Sequence, residues 1–181
     1  LKTLTLLRHA KSGWNDPVAR DFDRPLNPKG HRAAHLMGQH MRDLGMIFDH
    51  VVASPATRVV ETLNEVAKGY GRAIEPEWDR RIYLASGVTL LDIVTALPDC
   101  ADHVLLVGHN PGLEDLALML VADRDDNPLR DALEAKYPTA TLAGLTFAID
   151  RWADAAADGA SLDRFIRPRD LDTALGPEED Y

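Results

Sequence analysis

The chain has 181 residues, 45% apolar and 27% charged, enough for one domain with a sizeable core and too apolar for wholesale disorder. Acidic residues outnumber basic ones 29 to 20, a formal charge of −9 that argues against general nucleic-acid binding and requires any phosphate site to gather its cations locally. No apolar run approaches the roughly 18 residues of a membrane span, and the single cysteine, Cys100, allows no internal disulfide and suits a reducing cytoplasm.

Leu1-Lys2-Thr3-Leu4 opens as a strand rather than as a signal peptide. The strand runs over Lys2–Leu7 and delivers Arg8-His9 to a polar loop. Asn27-Pro28 is a cap followed by a first-turn proline. Ala34, Met37, Met41 and Leu44 then recur at helical spacing until Gly45. Asp49–Ala53 is a second strand, and Ser54-Pro55 repeats the cap-plus-proline start. Val59, Leu63 and Val66 face inward from that helix, which ends at Gly69-Tyr70-Gly71. Ala73–Trp78 predicts an edge strand, because Pro76 cannot donate to a central ladder. Val88–Leu97 predicts a helix with Leu91, Val94 and Leu97 inward.

His103–Val107 is a third strand, and Gly108-His109-Asn110-Pro111 a third strand-to-helix turn. Leu113, Leu116, Ala117 and Leu120 follow at helical spacing. A polar loop at Asp123–Pro128 leads to a short helix, Leu129–Ala135. Thr141–Ile149 and Ser161–Arg167 predict paired strands around an exposed turn at Ala153–Gly159. From Pro168 on, acidic residues without periodicity predict a loosely ordered tail over 168–181. No shift in composition divides the chain, so residues 1–181 read as one domain.

Alternating strands and helices imply an α/β three-layer sandwich, with a mostly parallel central sheet and helices on both faces. In such sheets ligands sit beyond the carboxyl ends of the strands. Arg8-His9, Ser54-Pro55 and His109-Asn110 all stand at such ends. Arg58 lies one turn into the second helix, so its side chain can return toward the same crevice. Two arginines, two histidines and two helix N-termini suit a phosphoryl group. With no metal-binding carboxylate pair and no Gly-rich loop in the sequence, neither metal nor cofactor is expected. His31 and His35 have metal-ligand spacing, but Arg32 stands where a zincin has Glu and no third ligand is evident, so they read as a solvated face.

These residues carry a family resemblance. Leu7-Arg8-His9-Ala10 resembles the Arg-His-Gly motif of the histidine phosphatase superfamily, which includes the cofactor-dependent phosphoglycerate mutases. Ser54-Pro55-Ala56-Thr57-Arg58, with Thr62, resembles its Ser-Pro-x-x-Arg-x-x-x-Thr motif. Val107-Gly108-His109-Asn110-Pro111 resembles its second-histidine motif. Asp23-Arg24-Pro25-Leu26-Asn27, then Gly30, resembles the stretch before its first long helix. The likeness spans Leu4 to about Leu120, and the small size looks most like the SixA-type phosphohistidine phosphatases. It implies a phosphoglycerate mutase-like fold and a metal-independent phosphatase.

By that resemblance His9 is the nucleophile, and Arg8, Arg58 and His109 bind the phosphoryl oxygens. Asn15 and the backbone N–H of Asn110 are auxiliary substrate contacts. Apart from the resemblance, Arg24, with Lys11 and Arg20, is expected to draw an anionic substrate into the mouth. Two departures stand out. Ala10 replaces the usual Gly, and Tyr83 stands where many members place an acid. An alkoxide leaving group needs a proton, whereas a phosphoramidate can leave as imidazole, so the gap favours phosphohistidine on a protein. Glu114 is a possible displaced acid. The alternatives are a small phosphomonoester substrate, or a phosphate-binding module without turnover. The expected partners are thus a phosphorylated protein or a small phosphorylated molecule, with no nucleic acid and no membrane.

Overall fold

The structure, a computed structural model, describes residues 1–13, 20–124 and 126–176. Asn15 therefore lies outside the described residues. Six strands form one sheet: β1 (Lys2–Arg8), β2 (His50–Ala53), β3 (Glu77–Trp78), β4 (His103–Gly108), β5 (Leu142–Phe147) and β6 (Ala160–Ile166), in the order β3-β2-β4-β1-β5-β6. The first four in that order are parallel, and β5 runs antiparallel to both β1 and β6. The helices are α1 (Pro28–Asp43), α2 (Thr57–Tyr70), α3 (Gly87–Thr95), α4 (Gly112–Leu120), α5 (Pro128–Ala135) and α6 (Pro168–Leu171). This is the expected α/β sandwich with a mostly parallel sheet.

The sheet separates two apolar clusters, as its alternation dictates. Leu4 and Leu6 of β1 face one side, with α3, α4 and α5, while Leu7 faces the other, with α1 and α2. Each of these leucines is fully buried, worth roughly 1.5–3 kcal/mol apiece. α1 and α2 meet backbone to backbone. A Cβ on Gly38 would stand 2.2 Å from the Val66 carbonyl oxygen, and one on Gly69 2.0 Å from that of His35. That close approach fixes the helix that carries Arg58.

Register sets the level of the site. Arg8 pairs with Gly108, and Ala53 with Val107. The ladder continues past the strands, with Ser54 N–H donating to Val107 O and His9 N–H to Gly108 O. Ser54, His9 and His109 therefore leave the sheet together at its carboxyl edge.

Several local expectations need correction. Asn27 does cap α1, accepting from Gly30 N–H at 2.8 Å, but Leu44 is the exposed C-cap and not a core position. Ser54 does not cap α2, whose N-cap is Ala56. The edge strand shrinks to Glu77–Trp78. In α3 the buried residues are Gly87, Leu90, Ile93 and Val94, while Leu91 is half-buried. The predicted exposed turn at Ala153–Gly159 contains buried Ala155 and follows Trp152, which is fully buried with its indole N–H on Ala101 O. The predicted loose tail contains α6, and Leu171 and Leu175 pack on the core. Among the described residues no helix is long and apolar enough to cross a membrane.

Candidate active site

His9 is buried just past the end of β1. Its Nδ1 lies 2.7 Å from the Ala10 carbonyl, which can only accept, so Nδ1 carries the proton and Nε2 keeps its lone pair. Burial and the charges of Arg8, His109 and Arg58 push its pKa well below the usual histidine value, against the pull of the Ala10 hydrogen bond. The imidazole is neutral at physiological pH. Ala10 occupies the glycine position without strain, since its φ is not positive. Its N–H donates to Thr62 Oγ1 at 2.9 Å, and the Thr62 hydroxyl donates to Arg58 O at 2.6 Å. Thr62 thus ties the first motif to the second through two buried bonds.

His109 stands across from His9, with ring centroids 5.2 Å apart. Its Nε2 is 2.8 Å from Ser54 Oγ. That oxygen also accepts from Ala56 N–H at 3.3 Å, and the buried hydroxyl proton has no other acceptor among the described residues, so it is donated to His109 Nε2. The proton on the ring then sits on Nδ1, a buried atom with no hydrogen-bond partner among the described residues. Burial and the charge of Arg58 lower the His109 pKa to about 3, with Asp21 opposing. In the ligand-free protein His109 is therefore neutral and presents one N–H.

Arg8 and Arg58 are both buried. Arg8 Nη1 donates to Tyr137 O at 2.9 Å. Arg58 Nη1 and Nη2 donate to Asp21 O and Oδ2, at 2.9 and 3.1 Å. Arg58 Nε–H is buried with no hydrogen-bond partner among the described residues. His9 Nε2, His109 Nδ1–H, Arg58 Nε–H and the Arg8 guanidinium belong to side chains gathered in one small region. They offer one nucleophilic lone pair and several donors for a tetrahedral anion.

The side chains of the other expected residues have partners of their own. Arg24 is buried, with Nε on Asp21 Oδ1 at 2.9 Å and Nη1 on Ser12 Oγ at 3.2 Å, so it braces the clamp that holds Arg58. The Asn110 side chain is used structurally: Nδ2 donates to Tyr137 O, and Oδ1 accepts from Glu114 N–H. Glu114 is half-buried in the first turn of α4. Burial and neighbouring Asp115 raise its pKa, and the Arg8 charge opposes them. Asp79 accepts from Arg81 Nη2 at 2.6 Å. His31 and His35 face Glu65 of α2, at 3.1 and 3.8 Å, and not solvent alone.

Sequence reasoning missed Asp21 altogether. Its carboxylate takes bonds from Arg58, from Arg24 and from the Tyr83 hydroxyl at 2.6 Å. Burial resists its ionisation, but those bonds and the two arginine charges outweigh it and bring its pKa to about 2. Tyr83, at the position of the absent acid, has its hydroxyl on Asp21 and its pKa raised by burial and by that bond. Its ring meets His109 edge-on at 5.4 Å. Asp21 stands three residues before Arg24, a spacing that could have flagged an ion pair, but in the sequence Asp16 and Asp23 compete for the same role.

Comparison with known proteins agrees with this arrangement. The family profile described as histidine phosphatase superfamily (branch 1) matches residues 4–82. An uncharacterised protein of Mycobacterium tuberculosis is 34% identical over 164 residues, covering 90% of this chain and 100% of its own. A structure from Nakamurella multipartitia, provisionally assigned as phosphohistidine phosphatase SixA, is 34% identical with a TM-score of 0.78, covering 92% of this chain and 96% of its own. Another with the same provisional assignment, from Agrobacterium tumefaciens, is 30% identical with a TM-score of 0.75, covering 92% and 98%.

Proposed function

The chain belongs to the histidine phosphatase superfamily (branch 1), and from that premise we propose that it is a phosphatase that transfers the phosphoryl group to His9, with protein phosphohistidine as its substrate. One observation carries this reading: a buried, neutral His9 with Nδ1 fixed on a carbonyl and Nε2 open, beside two arginines and a second histidine.

In the first step the Nε2 lone pair forms a bond to phosphorus as the bond to the leaving nitrogen breaks. The electron pair goes to that nitrogen; the ring's other nitrogen carries a proton taken from solvent beforehand, so the group departs as neutral imidazole. In the second step water attacks the phosphorus, the P–Nε2 bond breaks, and His9 recovers its lone pair as phosphate leaves. Charge on the equatorial oxygens is met by Arg58, Arg8 and the His109 N–H. Desolvation lowers the proton affinity of His9 while leaving it a nucleophile.

The leaving group is the basis for the substrate. Tyr83 is a poor proton donor, because its hydroxyl is held by Asp21 and its pKa is raised. A leaving imidazole needs no enzyme acid. The second reading, a phosphomonoesterase, is favoured by Glu114, whose raised pKa would suit an acid if a substrate oxygen came within reach. The deciding experiment traps the intermediate. Brief incubation with a labelled phosphohistidine donor should leave acid-labile, base-stable phosphate on His9, and none on His9→Ala. Label absent from the wild-type protein sinks the proposal.

A further inference from the structure

The segment that follows β3 lies along the rim of the site. Ile82 is buried against Gly108, where a Cβ would stand 2.9 Å from its Cγ2. The Tyr83 ring meets His109 edge-on at 5.4 Å, and its hydroxyl donates to Asp21. A Cβ on Gly112 would stand 2.2 Å from the Ala85 carbonyl oxygen. Residues 82–85 therefore track residues 108–112, from the end of β4 across the second-histidine turn to the start of α4.

Leu84 departs from its neighbours. They touch that turn, but Leu84 is 62% exposed. Ala85 N–H donates to Ile82 O at 3.2 Å, and Tyr83 has φ −64° and ψ 116°. Leu84 has φ +54°, so it holds the third position of a type II pattern, which glycine or asparagine takes freely and leucine does not.

Stability does not account for a leucine there. Exposed, it buries little apolar area, and its left-handed backbone costs free energy that glycine would not. Strained residues of this kind gather at active sites and ligand clamps. The turn is pinned on both sides of Leu84, by Tyr83 on His109 and by Ala85 on Gly112, so the leucine is presented from a fixed place on the rim.

Its surroundings define what it meets. The adjacent cations are engaged: Arg81 is held by Asp79 at 2.6 Å, and the Arg80 guanidinium lies 5.6 Å from the Phe22 ring. The open group is a branched hydrocarbon. Of the six large apolar side chains exposed among the described residues, Trp78, Leu84 and Val88 share this one segment. The others, Leu1, Leu44 and Ile47, precede β1 or β2 and lie toward the opposite end of the sheet. Beyond its phosphoryl group, a phosphohistidine in a protein brings its own sequence neighbours to the rim.

We propose that Leu84 is a specificity-determining residue, packing on an apolar side chain that flanks the phosphohistidine of a protein substrate. The proposal rests on the phosphatase reading for the phosphohistidine, and on the Leu84 turn alone for the apolar contact.

The test compares two phosphohistidine peptides of equal length on the full chain, one with leucine on both sides of the phosphohistidine and one with serine. Leu84→Asn keeps a residue that tolerates φ +54° and removes the hydrocarbon end. The wild-type protein should show a KM about tenfold lower for the leucine peptide. Leu84→Asn should lose that preference with kcat unchanged, and Leu84→Met should keep it. Ile47→Asn, which removes an exposed apolar side chain far from the site, should change neither KM. Turnover of a small phosphoramidate, which has no flanking side chain, should be unchanged in Leu84→Asn and reports that the variant is folded; if it is not, Leu84→Gly decides. Equal KM for the two peptides on the wild-type protein overturns the proposal. So does a preference that survives in Leu84→Asn or Leu84→Gly, or one that Ile47→Asn removes as well. Absence of turnover of every phosphohistidine donor by the wild-type protein strikes the phosphatase reading instead. The same peptides carrying a stable phosphonate mimic of phosphohistidine, titrated by fluorescence anisotropy, then decide the Leu84 contact by the same preference and its loss.

Discussion

Asp21 grips Arg58 at two points: Nη1 donates to its backbone carbonyl at 2.9 Å and Nη2 to its Oδ2 at 3.1 Å. The grip uses the far edge of the guanidinium and leaves the buried Nε–H without a hydrogen-bond partner among the described residues. Asp21 therefore orients Arg58 and does not occupy the edge that the phosphoryl group would take. Asp21→Asn should reduce kcat/KM about 10–100-fold, since a displacement of about 1 Å costs that order of rate. The positioning role is read from inorganic phosphate binding: weaker binding with an unchanged unfolding midpoint supports it, and a loss of stability alone contradicts it.

Ser54 sets the His109 tautomer by the same kind of relay. Ser54→Ala removes the partner of Nε2 and allows the ring proton to move there, away from the site. Turnover should fall about tenfold with the His9 phosphoenzyme still trapped, because one oxyanion donor is weakened and the nucleophile is intact. Nitrogen chemical shifts of His109 should change from the Nδ1–H to the Nε2–H pattern.

Thr62 joins the two motifs through buried bonds on either side of its hydroxyl. Thr62→Val keeps the shape and leaves the Ala10 N–H unsatisfied. The expected cost is about 1–3 kcal/mol, measured as a lower denaturation midpoint. Phosphoryl transfer should slow as well, since Ala10 O is the acceptor that orients His9.

The two site histidines predict acid sensitivity. Both have folded pKa values below 6.5, His109 at about 3 and His9 well below its usual value. As pH falls through 6.5 the unfolded chain binds protons that the folded chain refuses, so stability falls with pH. Each histidine contributes a slope of up to about 1.4 kcal/mol per pH unit, from 6.5 down to its folded pKa. Unfolding midpoints between pH 7 and pH 4.5 should drop steeply in the wild-type protein and less steeply in His109→Gln. Asp21 acts at lower pH: its contribution is full above its unfolded value and is lost as pH falls toward about 2.

Glu114 discriminates the two substrate classes. Glu114→Gln should leave hydrolysis of a phosphoramidate unchanged in EDTA, and p-nitrophenyl phosphate should remain the poorer substrate throughout. A drop of about 10²-fold or more with phosphomonoesters, on a wild-type enzyme that prefers them, would assign Glu114 as the acid and favour the second reading.

The sequence by itself determined the layers, the order of most elements, and the positions of Arg8, His9 and His109 at strand ends and of Arg58 in the first turn of α2. Those follow from local rules: apolar period, the proline after a cap, and the fact that a parallel strand ends where its loop must carry polar groups. Only the tertiary structure showed that Ser54 serves His109 as well as the Ala56 N–H at the α2 start, and that Tyr83 and Asp21 meet although they are 62 positions apart. Those partnerships depend on the register of β1, β2 and β4 and on how α1 and α2 seat, and neither leaves a periodic trace in the chain.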